Sequence, residues 1–514
     1  MKDLLPKSWV SCTVAVVTVP VEKIDPGQLQ DRPFSYVDIS SIDNRTNHVT
    51  APKQMRLSDA PSRARQLVKS GDVVFSTVRP YLRNIAQIPD ALDGEIASTG
   101  FAVLRAAAGV DPKYLFYKAT SNPFVSALSG EQYGVSYPAV RDEQVRAQTL
   151  ELPPTNEQRR IVAKIDDLFS ELDKGVEALT TAREQLKTYQ QALLKHAFEG
   201  KLTEDWRARH PDRVQTPAER LRSLRAEADA RFAKALDTWE ATRKKQGALL
   251  KPQRHAVTGN AEIPEHLADH CTAQWAWLRL GDVSDVTGGL TKSPKRSALP
   301  LTMKYLRVAN VYADHLDLDD VTEIGVTDDE FEHVRLQPGD ILVVEGNGSV
   351  EQIGRVAVWG GEIPDVSHQN HLIRVRFFPD MSPRFFLSFL MSPLGRDLIV
   401  REASSTSGLH TLSISKVAGL PVPVPTAEEQ EALLAALDGP MSEIEKLAEE
   451  IEAAFARCSA LRQSILKQAF SGQLVAQDWR DEPASVLLDR ICAEREAAEP
   501  KKERNPKNGK KKAA

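Results

Sequence analysis

The chain contains two distant copies of one sequence pattern, and this duplication constrains its fold more than any other feature. Residues 194–202 are Leu-Lys-His-Ala-Phe-Glu-Gly-Lys-Leu, and residues 466–474 are Leu-Lys-Gln-Ala-Phe-Ser-Gly-Gln-Leu. Phe198 and Phe470 occupy the same place in the two copies, 272 residues apart in a chain of 514. This spacing excludes a solenoid, whose repeats span about 20 to 50 residues. It indicates a duplicated pair of domains.

Shorter matches occur in the same order in both halves. The matching pairs are Gly71-Asp72 with Gly339-Asp340, Asp111-Pro112 with Ser382-Pro383, Pro154-Thr155 with Pro425-Thr426, Glu157-Gln158 with Glu429-Gln430, and Asp205-Trp206-Arg207 with Asp478-Trp479-Arg480. Each Gly-Asp pair precedes an apolar run, which predicts a turn into a buried strand. Each Asp-Pro or Ser-Pro pair predicts the start of an apolar helix. Between these anchors the halves differ, so the scaffold is shared and the surface is not.

Composition describes an ordinary globular protein of about three to four domains. The chain is 41% hydrophobic and 27% charged with a net charge of −5, so any basic nucleic-acid surface must be local. Its four cysteines lie far apart and indicate neither a zinc site nor a disulfide framework, which favours a cytoplasmic location. No apolar stretch reaches the roughly 18 residues of a membrane span. The short apolar run Val14 to Val21 predicts a strand rather than a signal peptide.

A long helical pattern follows each globular part. Thr155 with Gln158 and Thr426 with Glu429 have the spacing of capping boxes. Apolar residues then recur at steps of four and three, at Ile161, Ile165, Leu168, Leu172, Leu179, Ala182, Leu186, Tyr189 and Leu193, and again at Leu433, Leu437, Ile444, Leu447, Ile451, Ala454, Cys458, Leu461 and Ile465. This periodicity predicts a coiled-coil seam in which each copy is the partner of the other. The alternative is two helices that each pack on their own domain.

Glycine and proline set the expected limits of these helices. Gly200 and Gly472 are placed to end them. Pro440 is expected to kink the second helix, so that its long part begins near Met441. Further helices are predicted from Pro217 to about Arg243 and from Pro483 to about Glu496.

With these motifs the chain resembles the specificity subunit of type I restriction–modification enzymes. The resemblance covers about 480 residues, and it rests on the two P-T-x-(x)-E-Q helix starts and the two L-K-x-A-F-x-G-x-L helix ends. It implies an α+β chain in which two globular target recognition domains are joined by two long helices that form an antiparallel coiled coil, with internal pseudo-two-fold duplication. The expected boundaries are domain one at 1–153, the first helical region with its extension at 154–246, a linker at 247–273, domain two at 274–424, the second helical region at 425–497 and a basic disordered tail at 498–514.

The resemblance also implies a function. Each recognition domain would read one half of an asymmetric, bipartite double-stranded DNA site, and the helices would act as a spacer and as the docking surface for two methyltransferase subunits. The chain itself would be non-catalytic and would need no cofactor or metal. Restriction/translocase subunits could join the complex, and no membrane partner is expected. A standalone methyltransferase or nuclease and a coiled-coil adaptor with no DNA role are the alternatives.

Three short motifs imitate catalytic sites. Asp90 with Asp111-Pro112-Lys113 resembles a nuclease carboxylate set, but Asp111 is better placed to start a helix. Ser121-Asn122-Pro123-Phe124 resembles an amino-methyltransferase loop, although no Gly-rich cofactor loop precedes it, so we interpret it as a break between helices. Gly346-Asn347-Gly348 is not followed by Lys-Ser/Thr, which excludes a phosphate-binding P-loop.

Sequence readout requires side chains that reach base edges and others that hold phosphates. The polar loops of the two halves supply the candidates. The candidate DNA-binding residues are Arg45, Asn47, Lys53, Arg79, Tyr81, Arg83 and Asn84 in the first half and Lys292, Lys295, Arg296, Asn347, Gln352, Arg355, His368, Gln369, Asn370 and His410 in the second. For any one of them the alternative is a solvated loop side chain. The basic tail 501–512 is expected to be solvated, with a DNA tether as its alternative.

Overall fold

The two halves of the chain share the order of their main sheet strands and of the helices that follow them, and they differ in shorter elements. The computed structural model describes residues 5–28, 30–129, 139–246, 251–406 and 409–498, and the predicted basic tail lies outside them. The chain divides into unit one, Met1–Thr180 with Glu452–Ala514, and unit two, Thr181–Ile451. Each unit therefore contains one globular part together with a piece of each long helix.

The first half contains twelve named strands in its described part. They are β1 (Val10–Thr13), β2 (Thr18–Val19), β3 (Pro33–Val37), β4 (Ile42–Asp43), β5 (His48–Val49), β6 (Lys53–Arg56), β7 (Ala64–Leu67), β8 (Val73–Ser76), β9 (Ile85–Gln87), β10 (Ile96–Ser98), β11 (Phe101–Ala106) and β12 (Thr149–Leu152).

The described part of the second half also contains twelve named strands. They are β13 (Ala276–Arg279), β14 (Ser284–Gly288), β15 (Leu301–Leu306), β16 (Thr322–Val326), β17 (Ile341–Val344), β18 (Gly346–Asn347), β19 (Val356–Val358), β20 (Val366–His368), β21 (Leu372–Phe377), β22 (Ser404–Thr406), β23 (Leu409–Thr411) and β24 (Pro421–Val424).

Helices complete both halves. They are α1 (Pro112–Thr120), α2 (Asn122–Ser129), α3 (Asp142–Arg146), α4 (Thr155–Phe198), α5 (Glu204–Arg209), α6 (Pro217–Gln246), α7 (Leu280–Val283), α8 (Asp328–Val334), α9 (Pro383–Met391), α10 (Pro393–Glu402), α11 (Ile414–Gly419), α12 (Ala427–Phe470) and α13 (Ala484–Ala498). Among the described helices, none combines the length and the apolar character that crossing a bilayer requires.

The sheets of the two halves share one topology. The first half has the order β2-β11-β8-β9 beside a second sheet β6-β3-β10-β7, and the second half has β14-β21-β17-β19 beside β16-β15-β20. In each half one parallel pair, β10 with β3 or β20 with β15, stands among antiparallel neighbours. The first and last strands of each domain also pair, β1 with β12 and β13 with β24. The predicted α+β fold and its duplication are therefore confirmed.

The Gly-Asp turns have the same buried ion pair in both halves. Asp72 is 2% exposed, and its carboxylate accepts two hydrogen bonds from the Arg105 guanidinium at 2.9 and 2.7 Å. Asp340 is 1% exposed and accepts the same pair of bonds from Arg376 at 2.7 and 2.6 Å. Two-bond contacts of this kind fix orientation as well as adding energy. They hold β8 against β11 and β17 against β21, as the turn-to-strand prediction requires.

A buried glutamine joins the start of each long helix to its domain. The side-chain carbonyl of Gln158 accepts from the backbone N–H of Asp111 at 2.8 Å, and that of Gln430 accepts from the backbone N–H of Ser382 at 2.9 Å. Each glutamine also donates to the carbonyl of the proline five residues earlier. We call these two arrangements the glutamine clamps. They explain why a Glu-Gln pair recurs at both helix starts.

The hydrogen bonds at the two helix starts differ from the predicted capping boxes. The hydroxyl of Thr155 donates to the carbonyl of Gly109, and Gln158 is engaged in its clamp, so the box predicted there is wrong. Thr426 does accept from the backbone N–H of Glu429 at 3.4 Å, but the Glu429 carboxylate bonds elsewhere rather than returning to the cap. Tertiary partners engage Thr155, Gln158 and the Glu429 carboxylate, while the local bond to Thr426 remains.

The two long helices run antiparallel within each unit. In unit one, Arg462 of α12 forms an ion pair with Asp173 of α4 and lies 4.8 Å from the ring centre of Phe169. In unit two, the end of α4 and the start of α12 share one core, which includes Phe198 and Leu433. The beginning of each helix thus packs beside the end of the other, and the predicted antiparallel pairing is confirmed.

The last turn of each helix packs on the domain of the opposite half. Phe470, which ends α12, meets the ring of Tyr114 in α1 edge to face, with centroids 5.3 Å apart. Phe198, which ends α4, meets Phe385 and Phe389 in α9, also at 5.3 Å. Aromatic pairs in this geometry contribute about 0.5–1.5 kcal/mol beyond their buried area. The repeated Ala-Phe motif is therefore an interdomain packing element.

Several local predictions agree with the structure. The residues Asp111 and Ser382 cap α1 and α9, as their Asp-Pro and Ser-Pro patterns indicate. Gly200 and Gly472 adopt φ of 77° and 74° just beyond α4 and α12. The helices predicted after each Trp-Arg motif are α6 and α13, and the predicted break between helices falls at Ser121, between α1 and α2.

Other local predictions are wrong. The helix α12 continues through Pro440 from Ala427, so its long part does not begin near Met441. The run Val14 to Val21 forms a turn followed by the two-residue strand β2 instead of one strand. Three residues assigned to the coiled-coil seam are exposed by about half: Tyr189, Leu447 and Leu461.

Candidate DNA interface

Two separate polar loops of the first half lie side by side. The hairpin β4–β5 carries Asn44, Arg45 and Asn47, and the loop between β8 and β9 carries the residues from Arg79 to Asn84. The side-chain amide of Asn44 donates to the carbonyl of Leu82 at 2.8 Å, and that of Asn47 donates to the carbonyl of Ile85 at 3.0 Å. Both candidate loops predicted from sequence are thus parts of one surface.

The loop between β8 and β9 has a rigid tip. Arg79 and Arg83 have φ of 49° and 57°, a left-handed conformation that costs a non-glycine residue energy. A short 3-10 helix, Pro80–Leu82, lies between them. The guanidinium of Arg83 donates to the carbonyl of Thr120 at 3.0 Å and to the side chain of Asn122. Arg83 therefore supports the tip, while Tyr81 is 50% exposed at its apex.

The remaining candidates of the first half occupy the margin of this surface. The side chain of Arg45 is exposed, and Lys53 is exposed while forming an ion pair with Asp38 at 2.5 Å. Asn84 is half-buried, and its backbone carbonyl accepts from Ser76 beside β8.

In the second half, the candidates meet where several strands end. Asn347 in β18 pairs with His410 in β23. Gln369 forms a parallel bridge with Leu290, and the backbone N–H of Asn370 donates to the Leu290 carbonyl at 3.0 Å. Leu290 follows β14 and precedes the basic loop, so these contacts place the start of that loop beside Gln369 and Asn370. Part of the predicted 404–410 loop, at 407–408, lies outside the described residues.

The basic loop of the second half contains one structural arginine and two exposed lysines. Arg296 donates two hydrogen bonds to the Glu330 carboxylate, at 2.8 and 2.9 Å, and a third to the carbonyl of Gly325. The pKa of Glu330 is lowered to about 2, mainly by the hydrogen bonding from Arg296. Lys292 and Lys295 point into solvent. Of the three cations, the two lysines are the more exposed.

His368 is buried in the domain interior. Its side chain is 0% exposed, and burial is the main cause that lowers its pKa to about 3, with the nearby Arg374 and Arg376 adding to the effect. A neutral, fully buried imidazole cannot touch DNA without unfolding of the strand that carries it. Among the candidate DNA-binding residues, His368 is therefore a residue of the domain interior.

An aromatic stack in the second half is absent from the sequence-based candidates. The rings of Tyr312 and His315 stack at 4.9 Å, and the guanidinium of Arg355 lies 5.5 Å from the Tyr312 ring centre. They stand on the turn closed by the Val311–Leu316 bridge, which follows a 3-10 helix as β4–β5 does in the first half. Aligning the halves by topology would have identified this turn. Gln352, near Arg355, is exposed.

The two equivalent turns differ in charge. The first carries Arg45 between asparagines, whereas the second carries aspartates at Asp314, Asp317, Asp319 and Asp320. The two domains thus present different chemistry at equivalent places on the same scaffold.

The motifs that imitate catalytic sites have structural roles. Asp111 accepts from the backbone of Lys113 at 2.8 Å as a helix cap, while the Lys113 ammonium pairs with Asp166 at 2.7 Å. Asp90 bonds to Ser70 instead of joining them. Within the described ranges, no group of three or more His, Cys, Asp or Glu side chains is arranged to hold a metal ion.

Known proteins are similar to this chain both within its first half and over nearly its full length. A family model described as "Type I restriction modification DNA specificity domain" matches residues 67–180. The EcoKI specificity subunit of Escherichia coli K12 is 24% identical over 524 residues, covering 97% of this chain and 98% of the relative. The StySPI specificity subunit of Salmonella potsdam is 22% identical over 520 residues, with coverage of 97% and 98%.

A solved structure also matches. It comes from a study of complex assembly and conformational transition of the type I R-M system. The matched chain is 25% identical in sequence, with a TM-score of 0.61, and the match covers 92% of this chain and 100% of the matched chain. The end-to-end coverage agrees with the duplicated domains, the paired helices and the repeated motifs. Over nearly its whole length the chain is similar in sequence and fold to type I restriction–modification specificity subunits.

Proposed function

We propose that this chain is the DNA sequence-specificity subunit of a type I restriction–modification system. Each domain would read one half of a bipartite, asymmetric site. One observation carries the proposal: two domains whose main sheets have matching strand order hold different polar side chains at equivalent loops. A shared scaffold with unlike surfaces suits a target whose two halves differ in sequence.

Exposure ranks the proposed DNA contacts. The exposed side chains are Arg45, Lys53, Tyr81, Lys292, Lys295 and Gln352. Half-buried side chains that border the same loops are Asn47, Arg79, Asn84, Asn347, Arg355, Gln369, Asn370 and His410. Arginine suits guanine and asparagine or glutamine suits adenine by two-bond geometry, while lysines hold phosphates. Arg83 and Arg296 support the loops that present these residues.

The proposed partners are two methyltransferase subunits bound along the paired helices, joined by restriction/translocase subunits where the system has them. Charged faces of α4 and α12, with residues such as Lys164, Glu171, Glu443 and Glu449, are exposed for this role. Internal two-fold symmetry favours two equivalent docking positions. Native mass measurement of the complex should give two methyltransferase copies per chain, and a strict one-to-one assembly would contradict this.

Bond-making would belong to the partner. The methyltransferase would supply S-adenosylmethionine chemistry on an adenine flipped out of the duplex. The structural roles of Asp111, Lys113 and Asn122 support a non-catalytic chain. Methyl transfer or cleavage by the isolated, purified chain would favour the alternative of a standalone enzyme.

Methylation-site mapping tests the proposal. Plasmid DNA is incubated with this chain and its partner methyltransferase, and modified positions are read by sequencing. We expect one asymmetric motif with a fixed gap. Exchange of the domain-two loops should alter one half of the motif and leave the other half unchanged. Methylation that is independent of this chain, or motifs without a gap, would contradict the proposal.

A further inference from the structure

The tip between β8 and β9 presents two large apolar side chains to solvent. Tyr81 is 50% exposed and Leu82 is 40% exposed, although both follow the buried Pro80. An exposed apolar patch can mark an interaction site, and here two large exposed apolar side chains are adjacent in sequence. The backbone on either side of them, at Arg79 and Arg83, has positive φ.

Three hydrogen bonds from side chains to backbone carbonyls stabilise the conformation of the tip. Asn44 donates to the carbonyl of Leu82, Asn47 donates to the carbonyl of Ile85, and Arg83 donates to the carbonyl of Thr120. Strain retained by surrounding bonds is typical of functional sites, because the structure must supply what the backbone costs. The tip is thus held in its outward position in the free protein.

Charge around the tip favours a nucleic-acid partner. Arg45 is exposed on the adjoining turn, and Arg79 and Arg83 flank the tip in sequence. An apolar tip flanked by cations matches the composition of DNA, in which apolar base faces lie inside a phosphate surface. The equivalent loop of the second half, 345–355, contains no aromatic residue and carries Glu345 and Glu351.

From these observations we propose that Tyr81 and Leu82 form a wedge that enters the base stack of the half-site read by domain one. The phenol ring would stack on a base face while Leu82 occupies the opened step. Apolar wedges of this kind unstack a base step and kink the duplex. Domain two, which lacks an aromatic residue at this place, would read its half-site without such an insertion. The inference rests on the proposed function.

Local base unstacking provides the test. The full chain in complex with its partner methyltransferase is titrated with duplexes that carry the mapped site. Single 2-aminopurine reporters are placed in either half-site, away from the methylated adenine, because base flipping there would also raise fluorescence. We expect enhanced fluorescence at one step of the half-site assigned to domain one and no such step in the other half-site.

Variants separate stacking from other roles. Tyr81→Ala should remove the fluorescence enhancement and weaken specific binding by about 5- to 150-fold, because base–aromatic stacking contributes about that factor. Tyr81→Phe should retain both, and Leu82→Ala should reduce the enhancement. Val350→Ala, at an exposed apolar position in the equivalent loop, is the matched control and should change neither. Thermal melting checks that each variant folds.

Each outcome is informative. A Tyr81→Ala complex with wild-type fluorescence and affinity would overturn the wedge while leaving the proposed function intact. Loss of methyltransferase binding by Tyr81→Ala, detected by native mass measurement, would make the tip a protein-docking surface and also overturn it. If the wild-type complex binds no specific sequence, the proposed function itself fails, which the wild-type titration reveals first.

Discussion

The side chain of Gln158 accepts a hydrogen bond from the backbone N–H of Asp111 at 2.8 Å. This bond joins the first turn of α4 to the cap of α1, 47 residues earlier in the chain. Gln430 repeats the arrangement with Ser382 at 2.9 Å. Both glutamine side chains are buried, so the bonds are shielded from competing water.

Removing a glutamine clamp should destabilise its unit. Gln158→Ala or Gln430→Ala leaves a buried N–H and a buried carbonyl without partners and creates a small cavity, which costs about 2–4 kcal/mol. Gln185→Ala, at an exposed position of α4, should change stability by less than about 0.5 kcal/mol. Chemical denaturation of the three variants measures the difference. Equal stabilities would show that the clamps are incidental.

The glutamates beside the clamps should respond differently to neutralisation. Glu157 accepts from two neutral donors, the Trp9 indole at 3.0 Å and the Gln477 amide at 2.5 Å, and burial is the main cause that raises its pKa. Glu429 accepts from the cationic Arg207 at 2.7 Å. Glu429→Gln should cost about 2–4 kcal/mol because it leaves a buried arginine without its counter-charge. Glu157→Gln keeps the acceptor atom and should be neutral or stabilising at pH 8.

The sign of the pH dependence follows from the raised pKa of Glu157. A carboxyl group that binds its proton more tightly in the folded state stabilises the fold below its unfolded pKa and loses that contribution as pH rises. The advantage of Glu157→Gln over wild type should therefore grow from about pH 4.5 upwards and then level off. Denaturation midpoints at several pH values measure it. An advantage that is larger at low pH would contradict the assignment.

His368 should make domain two sensitive to mild acid. Its folded pKa of about 3 lies below the unfolded value of 6.5, so the unfolded chain takes up the proton first and stability falls as pH drops below about 6.5. Between pH 7 and pH 5 this amounts to about 2 kcal/mol. His368→Leu should abolish that slope, whereas His48→Leu at an exposed site should leave it unchanged. Parallel slopes in wild type and His368→Leu would be the contrary result.

The basic loop of domain two should separate DNA binding from folding. Lys292→Ala and Lys295→Ala should each weaken binding across sequences and lower the salt dependence of the affinity by about one unit, without loss of stability. Arg296→Ala should destabilise the domain, because it removes both bonds to Glu330. Lys304→Ala, at an exposed ion pair on β15, is the control for charge alone. An unchanged salt slope in both lysine variants would exclude the loop from the DNA interface.

The gap between the half-sites should be fixed by the paired helices. Under the proposed function, two recognition domains held apart by a rigid spacer would favour half-sites about one helical turn apart, about 10 bp or slightly more. Inserting two base pairs rotates one half-site by about a fifth of a turn and lengthens the gap, so specific binding should be nearly lost. Competition binding with duplexes of graded spacing tests this. Unchanged affinity would exclude a rigid spacer.

Periodic and repeated features were predictable from sequence, whereas features that depend on distant partners were not. The helix limits at Gly200 and Gly472 follow from local backbone preferences. The role of Gln158 was missed because its partner is set by tertiary packing. Pro440 was expected to kink α12 so that its long part would begin near Met441, but α12 is continuous from Ala427, and Leu433 and Leu437 before the proline lie in the core.

At the candidate interface too, local sequence patterns were predictable and tertiary partners were not. The loops were predicted because polar and basic residues collect after the shared strands, and their role in DNA binding stays a prediction. Individual residues were less predictable, since Arg296 and His368 look like surface groups in sequence but are engaged or buried in the fold. Tyr312 was missed because its turn carries aspartates and gave no basic pattern.

Each glutamine clamp binds main chain and not a side chain, and this has a consequence for how such proteins diversify. Asp111 and Ser382 differ chemically, yet both offer the same N–H to the helix. Because the bond does not depend on the side chain at that position, one recognition domain can be replaced by recombination while the long helices stay unchanged. New DNA preferences can then arise by shuffling modules, without redesign of the joints.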